Sequence, residues 1–285
     1  GLLPQYEATT LSHLGDDIHR YGHIRLWGSL GFIVATLSGG WLFAGDDALR
    51  LPEVVILVMA VVVAAAWITP EAPAGRHSGE SGTLLATLRR PPVLALFAVC
   101  VLQLASFGPY YVFFTLYVEE AGYSTRTAGL LWSWGAAAEI VLFLYAPRLL
   151  RRYSLSSLMQ VAMAATVVRW GLTGLMAENL AVLVFCQTLH FAGFGLFHAV
   201  AVVLVHRWFR GRLQGRGQAL YSSVGFGVGG AIGSFYSGYA WQSVGPSATF
   251  LIAGGLALAG WALAVLSLDT STADREGQAD GLTET

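Results

Sequence analysis

Long apolar runs broken by short polar connectors set the pattern of this chain. Eight runs read as membrane-length helices: Leu26–Ala44, Val54–Thr69, Val93–Val118, Ala128–Pro147, Leu155–Met176, Leu180–Arg207, Gln218–Trp241 and Ser247–Leu268. Crossing ~30 Å of hydrocarbon takes about 20 mostly apolar residues as a helix. A helix also pairs its backbone polar groups internally, as lipid requires. The second run is short. Trp27, Trp41, Trp67, Trp132, Trp208 and Trp241 fall near run ends, where interfacial Trp collects. The pattern predicts an all-α integral membrane protein with eight transmembrane helices.

The connectors alternate in charge. Every second one carries Arg: Arg20 and Arg25; Arg76, Arg89 and Arg90; Arg148, Arg151 and Arg152; Arg207, Arg210, Arg212 and Arg216; and Arg275 in the tail. The connectors between hold only Arg50 and Arg126, with Asp46, Asp47, Glu53, Glu119, Glu120 and Glu178. The positive-inside rule puts the Arg-rich side in the cytoplasm, and with it the C-terminus.

Composition agrees. The chain of 285 residues is 55% hydrophobic and 12% charged, against about 25% charged in a soluble domain. A net charge of −1 gives no reason to expect nucleic acid as a partner. Cys100 and Cys186 lie inside apolar runs, where a thiol behaves as a small hydrophobe. No Cys or His spacing points to a metal, and no cofactor is implied.

The connector Pro70–Pro92 is the longest and is rich in Pro and Gly, with Thr83–Arg90 able to form a short surface helix. Six runs with short loops follow it, and two precede it. The chain starts with Gly and no signal peptide leads it, so its numbering is expected to begin inside a longer protein, with Gly1–Leu14 ending a helix that starts upstream.

Several stretches carry a resemblance. Gly15-Asp16-Asp17-Ile18-His19-Arg20-Tyr21-Gly22 leads into Trp27-Gly28-Ser29; Ala121-Gly122-Tyr123-Ser124, Leu131-Trp132-Ser133, Ala138-Glu139, Val167-Val168-Arg169-Trp170-Gly171, Leu189-His190 with His198, and Gln218-Ala219-Leu220-Tyr221-Ser222-Ser223 follow in order. Together they make the chain, from Pro4 to about Leu268, resemble major facilitator permeases of the 3-phenylpropionate transporter type, related to proton-coupled sugar and nucleoside symporters. The resemblance implies a major facilitator fold lacking about its first three and a half helices. Residues 1–69 are then the rest of the N-terminal half, with the end of helix four and helices five and six. Residues 70–92 are a cytoplasmic linker, 93–268 the six-helix C-terminal half, and 269–285 a disordered cytoplasmic tail. Two related halves in such transporters flank a central site. One departure is the loop Pro147-Arg148-Leu149-Leu150-Arg151-Arg152-Tyr153, which lacks the acid of the usual Gly-x-x-x-Asp-Arg pattern.

Ionisable groups inside spans cost about 2.5–3.5 kcal/mol even on the lenient insertion scale, so each is a functional candidate. Glu139, Arg169 and His190 are expected to form a proton-coupling set: at 1.5 Å per residue, Glu139 and His190 lie ~18 and ~15 Å into their spans, near the midplane. Burial and an Arg neighbour push a carboxyl in opposite directions, so a Glu that moves relative to Arg169 takes up and releases a proton. The competing reading is a static Glu139–Arg169 ion pair. Arg169 also suits a substrate carboxylate. Gln187, His190, Phe194, Phe197 and His198 fall on one helical stripe and suit a cavity wall for a ring-bearing substrate; packing is the plainer reading. Gln103, Tyr110 and Tyr111 are further candidates, and Pro109 is expected to kink their helix. Glu7 matches an acidic position in the family. Gly229 and Gly233 form a GxxxG read as close packing.

The expected function is secondary active transport of a small organic solute with H⁺; the resemblance implies an aromatic acid such as 3-phenylpropionate, with a sugar, nucleoside or drug the alternative. The expected setting is a monomer in lipid, in a bacterial inner membrane. An intramembrane enzyme is disfavoured, because neither His-Glu-x-x-His nor a Gly-x-Ser-x-Gly setting occurs. A channel or a non-transporting receptor stays open.

Overall fold

The computed structural model describes residues 9, 10, 13, 21–43, 51–70, 83–209 and 213–268, and the statements below concern these. All regular structure among them is helical. The helices are α1 (Tyr21–Leu42), α2 (Leu51–Ile68), α3 (Leu84–Leu88), α4 (Pro91–Ser106), α5 (Gly108–Glu120), α6 (Thr125–Arg152), α7 (Leu155–Leu175), α8 (Leu180–Thr188), α9 (Phe197–Trp208), α10 (Gln214–Tyr221), α11 (Gly230–Val244) and α12 (Pro246–Ser267). Two π-helical segments, Phe191–Leu196 and Ser222–Gly229, join α8 to α9 and α10 to α11.

The predicted runs fall on helices, to within their end residues, wherever they are described, but three of them are split: Val93–Val118 between α4 and α5, and Leu180–Arg207 and Gln218–Trp241 by the π-helical segments. Length and hydropathy together mark six as able to cross a membrane: Leu51–Ile68, Pro91–Glu120, Thr125–Arg152, Leu155–Leu175, Leu180–Trp208 and Pro246–Ser267. In Tyr21–Leu42 and Gln214–Val244, repeated Gly and Ser dilute the apolar character. Helix starts follow their sequence signals. Ser124, Ser154 and Asn179 accept backbone N–H bonds in the first turns of α6, α7 and α8, as N-caps do. Gly245 turns the chain from α11 into α12 at φ 88, a conformation that disfavours any Cβ.

Three helix boundaries differ from expectation. The break expected at Pro109 falls at Phe107, between α4 and α5, because the ring occupies the second position of a new helix that needs no donor there. Helix α6 passes through Pro147, where the run was expected to end, and continues to Arg152; membrane helices tolerate Pro when neighbours re-satisfy the backbone. The Leu180–Arg207 run is interrupted by the π turn. The short helix expected within Thr83–Arg90 is α3, with Thr83 before it.

Outer faces are apolar and bare: Phe235 is 85% and Leu266 83% exposed. Such a surface is soluble in lipid and not in water. Inside, two apolar clusters lie at different heights. One includes Val93, Leu96, Cys100, Met159, Met163, Phe197, Val200 and Leu204. The other includes Phe107, Tyr110, Phe114, Leu131, Trp170 and Leu183. On each of four spans a pair of buried polar residues sits at the junction of the two clusters: Gln103 and Ser106; Ser133 and Glu139; Thr166 and Arg169; Gln187 and His190. The bundle is thus a polar layer held between two greasy ones.

Helix α1 docks on α6. Thr36 Oγ1 and Ser133 Oγ are 2.9 Å apart, and the Arg126 guanidinium lies 4.1 Å from the Trp41 ring centre. The expected GxxxG packing is present: a Cβ on Gly229 lies 2.9 Å from the Val101 carbonyl oxygen, and one on Gly233 lies 2.7 Å from that of Ala105. Gly233→Val is therefore expected to push α11 off α4 and lower the melting temperature, overpacking costing ~1–3 kcal/mol. Gly238→Ala, whose added carbon meets nothing within 4 Å, is expected to melt like the parent. Scanning fluorimetry in detergent compares the two, and equal melting temperatures for G233V and G238A defeat this packing account.

Candidate functional site

The polar layer is built around Arg169, which α7 carries with no exposed surface at all. The sequence places it three residues after Thr166 and next to Trp170, so one turn of α7 supplies the cation, a hydroxyl and an indole. One guanidinium nitrogen, Nη1, lies 2.9 Å from His190 Nδ1, and Nη2 donates to Gln187 Oε1 at 3.2 Å. Tyr110 O–H donates to the same Gln187 oxygen at 3.0 Å. The Arg169 carbon sits 4.3 Å from the ring centres of both Tyr110 and Trp170, and 5.4 Å from that of Phe107. Aromatic faces attract a cation, more strongly when it is desolvated.

Arginine has no acceptor, so His190 Nδ1 must receive the Arg169 bond and carries no proton while it does. The proton of the neutral ring is then on Nε2. That nitrogen faces Glu139 Oε2 at 3.6 Å. The tautomer follows from its partners rather than from observed hydrogens. The three ionisable residues thus form a chain, Glu139 to His190 to Arg169. A direct Glu139–Arg169 ion pair, the static alternative considered from sequence, does not occur: among the described residues the ion-pair contact of Glu139 is His190. The imidazole fills the space a direct pair needs.

Room for this chain comes from small residues. A Cβ on Gly135 lies 3.0 Å from Gln187 Oε1, and one on Gly195 lies 3.1 Å from Glu139 Cγ. Gln103, buried at 1% exposure, donates to Thr166 Oγ1 at 2.8 Å and to the Gly193 carbonyl at 2.7 Å, so it props the π turn against α7. Among the described residues three buried polar atoms have no partner: Arg169 Nε, Gln103 Oε1 and the Tyr236 hydroxyl. Of the two in this layer, Arg169 Nε is a donor and Gln103 Oε1 an acceptor.

The structure gathers Gln103, Tyr110, Glu139, Arg169, Gln187, His190 and Phe194 around one layer. His198 lies apart, toward the Arg207 end, with its Nδ1 2.8 Å from the Tyr221 hydroxyl. Tyr111 is 49% exposed and stacks near Trp132. Phe197 does not share the expected stripe: the wider π turn rotates it into the apolar cluster, where it is 2% exposed. Glu7 lies outside the described residues. The sequence assigned no role to Trp170, Phe107, Thr166 and Ser106, and to Trp132 only that of an interfacial Trp. Trp170 packs on Arg169 and donates to Ser106 Oγ at 3.1 Å; its position beside the Arg was the available signal. Trp132 lies 4.1 Å, centre to centre, from Tyr110.

Comparison with known proteins adds a second line of information. The sequence pattern of the "MFS_1 like family" matches residues 1–252. The "Probable 3-phenylpropionic acid transporter" of Escherichia coli (strain K12) is 32% identical over 241 residues, 82% of this chain and 62% of that protein. The "Maltose permease" of Geobacillus stearothermophilus is 30% identical over 248 residues, 84% of this chain and 60% of that one. The chain thus spans about three fifths of the length of these relatives. A crystal structure of the nucleoside transporter NupG superposes with a TM-score of 0.73 at 18% identity, over 90% of this chain and 71% of that one.

Proposed function

The chain belongs to the MFS_1 like family of multi-pass membrane transporters, and from that premise we propose that it is the larger part of a proton-coupled symporter with an aromatic carboxylate as its cargo. The observation that carries this reading is the buried chain of Glu139, His190 and Arg169. Charge counting shows why such a set couples two solutes. With Glu139 ionised and the site empty, Arg169 and Glu139 cancel. With a proton on Glu139 and a carboxylate at Arg169, the sum is again zero. Either solute alone leaves one net charge in a low-dielectric interior, which is costly. The two neutral states reorient and the two charged ones do not.

Arg169 is placed to take the anion. Its fork suits a bidentate carboxylate, and its Nε is a donor without a partner. A carboxylate that draws Arg169 off His190 Nδ1 frees that nitrogen to accept a proton, which links binding to protonation. Phe107, Tyr110, Trp132, Trp170 and Phe194 supply faces for an aryl ring around the cation. Gln103, Gln187 and His190 complete the contacts, with His198 nearer the Arg-rich end. The relative named for 3-phenylpropionic acid fits this chemistry. A sugar is the second reading, supported by the maltose permease match, since aromatic faces and amides also hold pyranose rings.

The proposed arrangement places residues 1–69 and 93–268 in two halves joined by 70–92, in a bacterial inner membrane with the C-terminus cytoplasmic and the protein monomeric. The Arg asymmetry of the connectors supports the orientation. In proteoliposomes holding the full-length protein, labelled 3-phenylpropionate is expected to accumulate against its gradient when the outside is acid, and to leak back when a protonophore is added. Accumulation untouched by the protonophore overturns proton coupling; accumulation of maltose and not of the aryl acid favours the sugar reading.

A further inference from the structure

Beyond the polar layer, the rings of His190, Phe194 and His198 form a column. The His190 and Phe194 rings are 5.2 Å apart at 5°, and those of Phe194 and His198 are 6.3 Å apart at 6°. A regular helix does not produce this. At 3.6 residues per turn, two steps of four leave the third ring about 80° from the first. The π-helical segment Phe191–Leu196 absorbs that rotation and brings all three into line. Such inserted turns cluster at functional sites, and this one is braced by Gln103 at the Gly193 carbonyl.

The two ends of the column differ from its middle. At one end His190 meets Glu139, Arg169 and Tyr110. At the other, His198 shares a 2.8 Å contact with the Tyr221 hydroxyl. Phe194 between them offers neither donor nor acceptor. Phe107 at 5.8 Å and Phe226 at 6.2 Å flank its ring, and Phe226 also meets His198 and Tyr221. Two sets of proton-carrying groups are therefore separated by one aromatic layer.

We propose that His198 and Tyr221 form a second proton station on the Arg-rich side of the site, and that Phe194 is the barrier that keeps it apart from Glu139 and His190. This rests on the proton-symport reading above. In the full cycle the cargo holds Arg169 off His190 Nδ1, and the ring carries its proton on Nδ1 with Nε2 bare. Glu139 then gives its proton to Nε2. The Nδ1 proton crosses only when Phe194 moves out of the column; it binds the His198 imidazole and departs to water on that side, leaving His190 protonated on Nε2. No group keeps it, and no bond other than those to the proton changes. A permanent wire between the two stations lets protons run without cargo, so the barrier is what makes coupling tight.

The test measures proton flux through full-length protein in proteoliposomes carrying a trapped pH-sensitive dye, with a pH gradient and no substrate. Phe194→Ala is expected to raise the leak about tenfold over the parent, equal to ~1.4 kcal/mol off the barrier. Adding His198→Gln to it is expected to bring the leak back toward the parent rate. Phe194→Val, a smaller truncation, is expected to leak at an intermediate rate and serves if the alanine variant does not purify as a folded species by size exclusion. A folded F194A or F194V no leakier than the parent overturns the barrier; a double variant as leaky as F194A overturns the role of His198. Failure of the symport reading appears separately, as parent protein whose uptake ignores the proton gradient.

Discussion

Glu139→Gln is expected to slow uphill uptake by the full-length transporter about a hundredfold while sparing exchange of cargo across the membrane. The carboxamide keeps the shape of the side chain packed on Gly195 and still reaches toward His190. It is always neutral. The loaded site then holds Arg169 and the carboxylate of the cargo, whose charges cancel, so reorientation with cargo bound continues. The empty site holds Arg169 without compensation. Returning it through the membrane carries a bare charge, at ~3 kcal/mol on the lenient insertion scale, which slows the step about a hundredfold. Uphill uptake needs that empty return and exchange does not. Counterflow near the parent rate, with net accumulation about a hundredfold slower, is the expected pair of results. Accumulation at parent level removes Glu139 from proton coupling.

Much of this was legible in the sequence because the bilayer penalises deviation so heavily. Apolar runs and alternating Arg connectors located the helices to within a few residues at most ends. The same penalty made Glu139, Arg169 and His190 stand out, since an ionisable side chain in such a run has to be kept for a reason. What the sequence concealed was order within the set. Three charged or polar residues on three helices allow a direct Glu139–Arg169 pair as readily as a chain through His190, and only the relative rotation of the spans decides. That rotation depends on the π turn at Phe191–Leu196, which leaves no composition signal beyond its glycines. It moved Phe197 into the apolar cluster and lined up Phe194 with both histidines. The aromatic enclosure was hidden for another reason. With 9 Trp, 11 Tyr and 15 Phe in the chain, nothing in residue type separates Trp170, packed on Arg169, from Trp67, which is 88% exposed.

Arg169→Lys carries the second large expected effect, and here the charge is retained while its geometry is lost. The guanidinium donates to two acceptors on the neighbouring span at once, His190 Nδ1 at 2.9 Å and Gln187 Oε1 at 3.2 Å, while lying 4.3 Å from the ring centres of both Tyr110 and Trp170. An ammonium is a compact, strongly hydrated point charge without that fork. It can hold one of the two acceptors but not both together with a bidentate carboxylate. Net charge in the site is unchanged, so R169K is expected to fold and to insert, whereas R169A leaves Glu139 buried without its cation, a loss of ~3–5 kcal/mol. Affinity for 3-phenylpropionate in R169K is expected to fall by about a hundredfold, or ~2.8 kcal/mol, read by titration calorimetry on folded protein. Binding within about threefold of the parent, under ~0.7 kcal/mol, means that Arg169 braces the helices and does not grip the cargo. Because lysine keeps the positive charge, such a result leaves the neutral-state account of coupling standing and moves the anion site elsewhere, with Gln103 and its unpartnered oxygen no longer beside it.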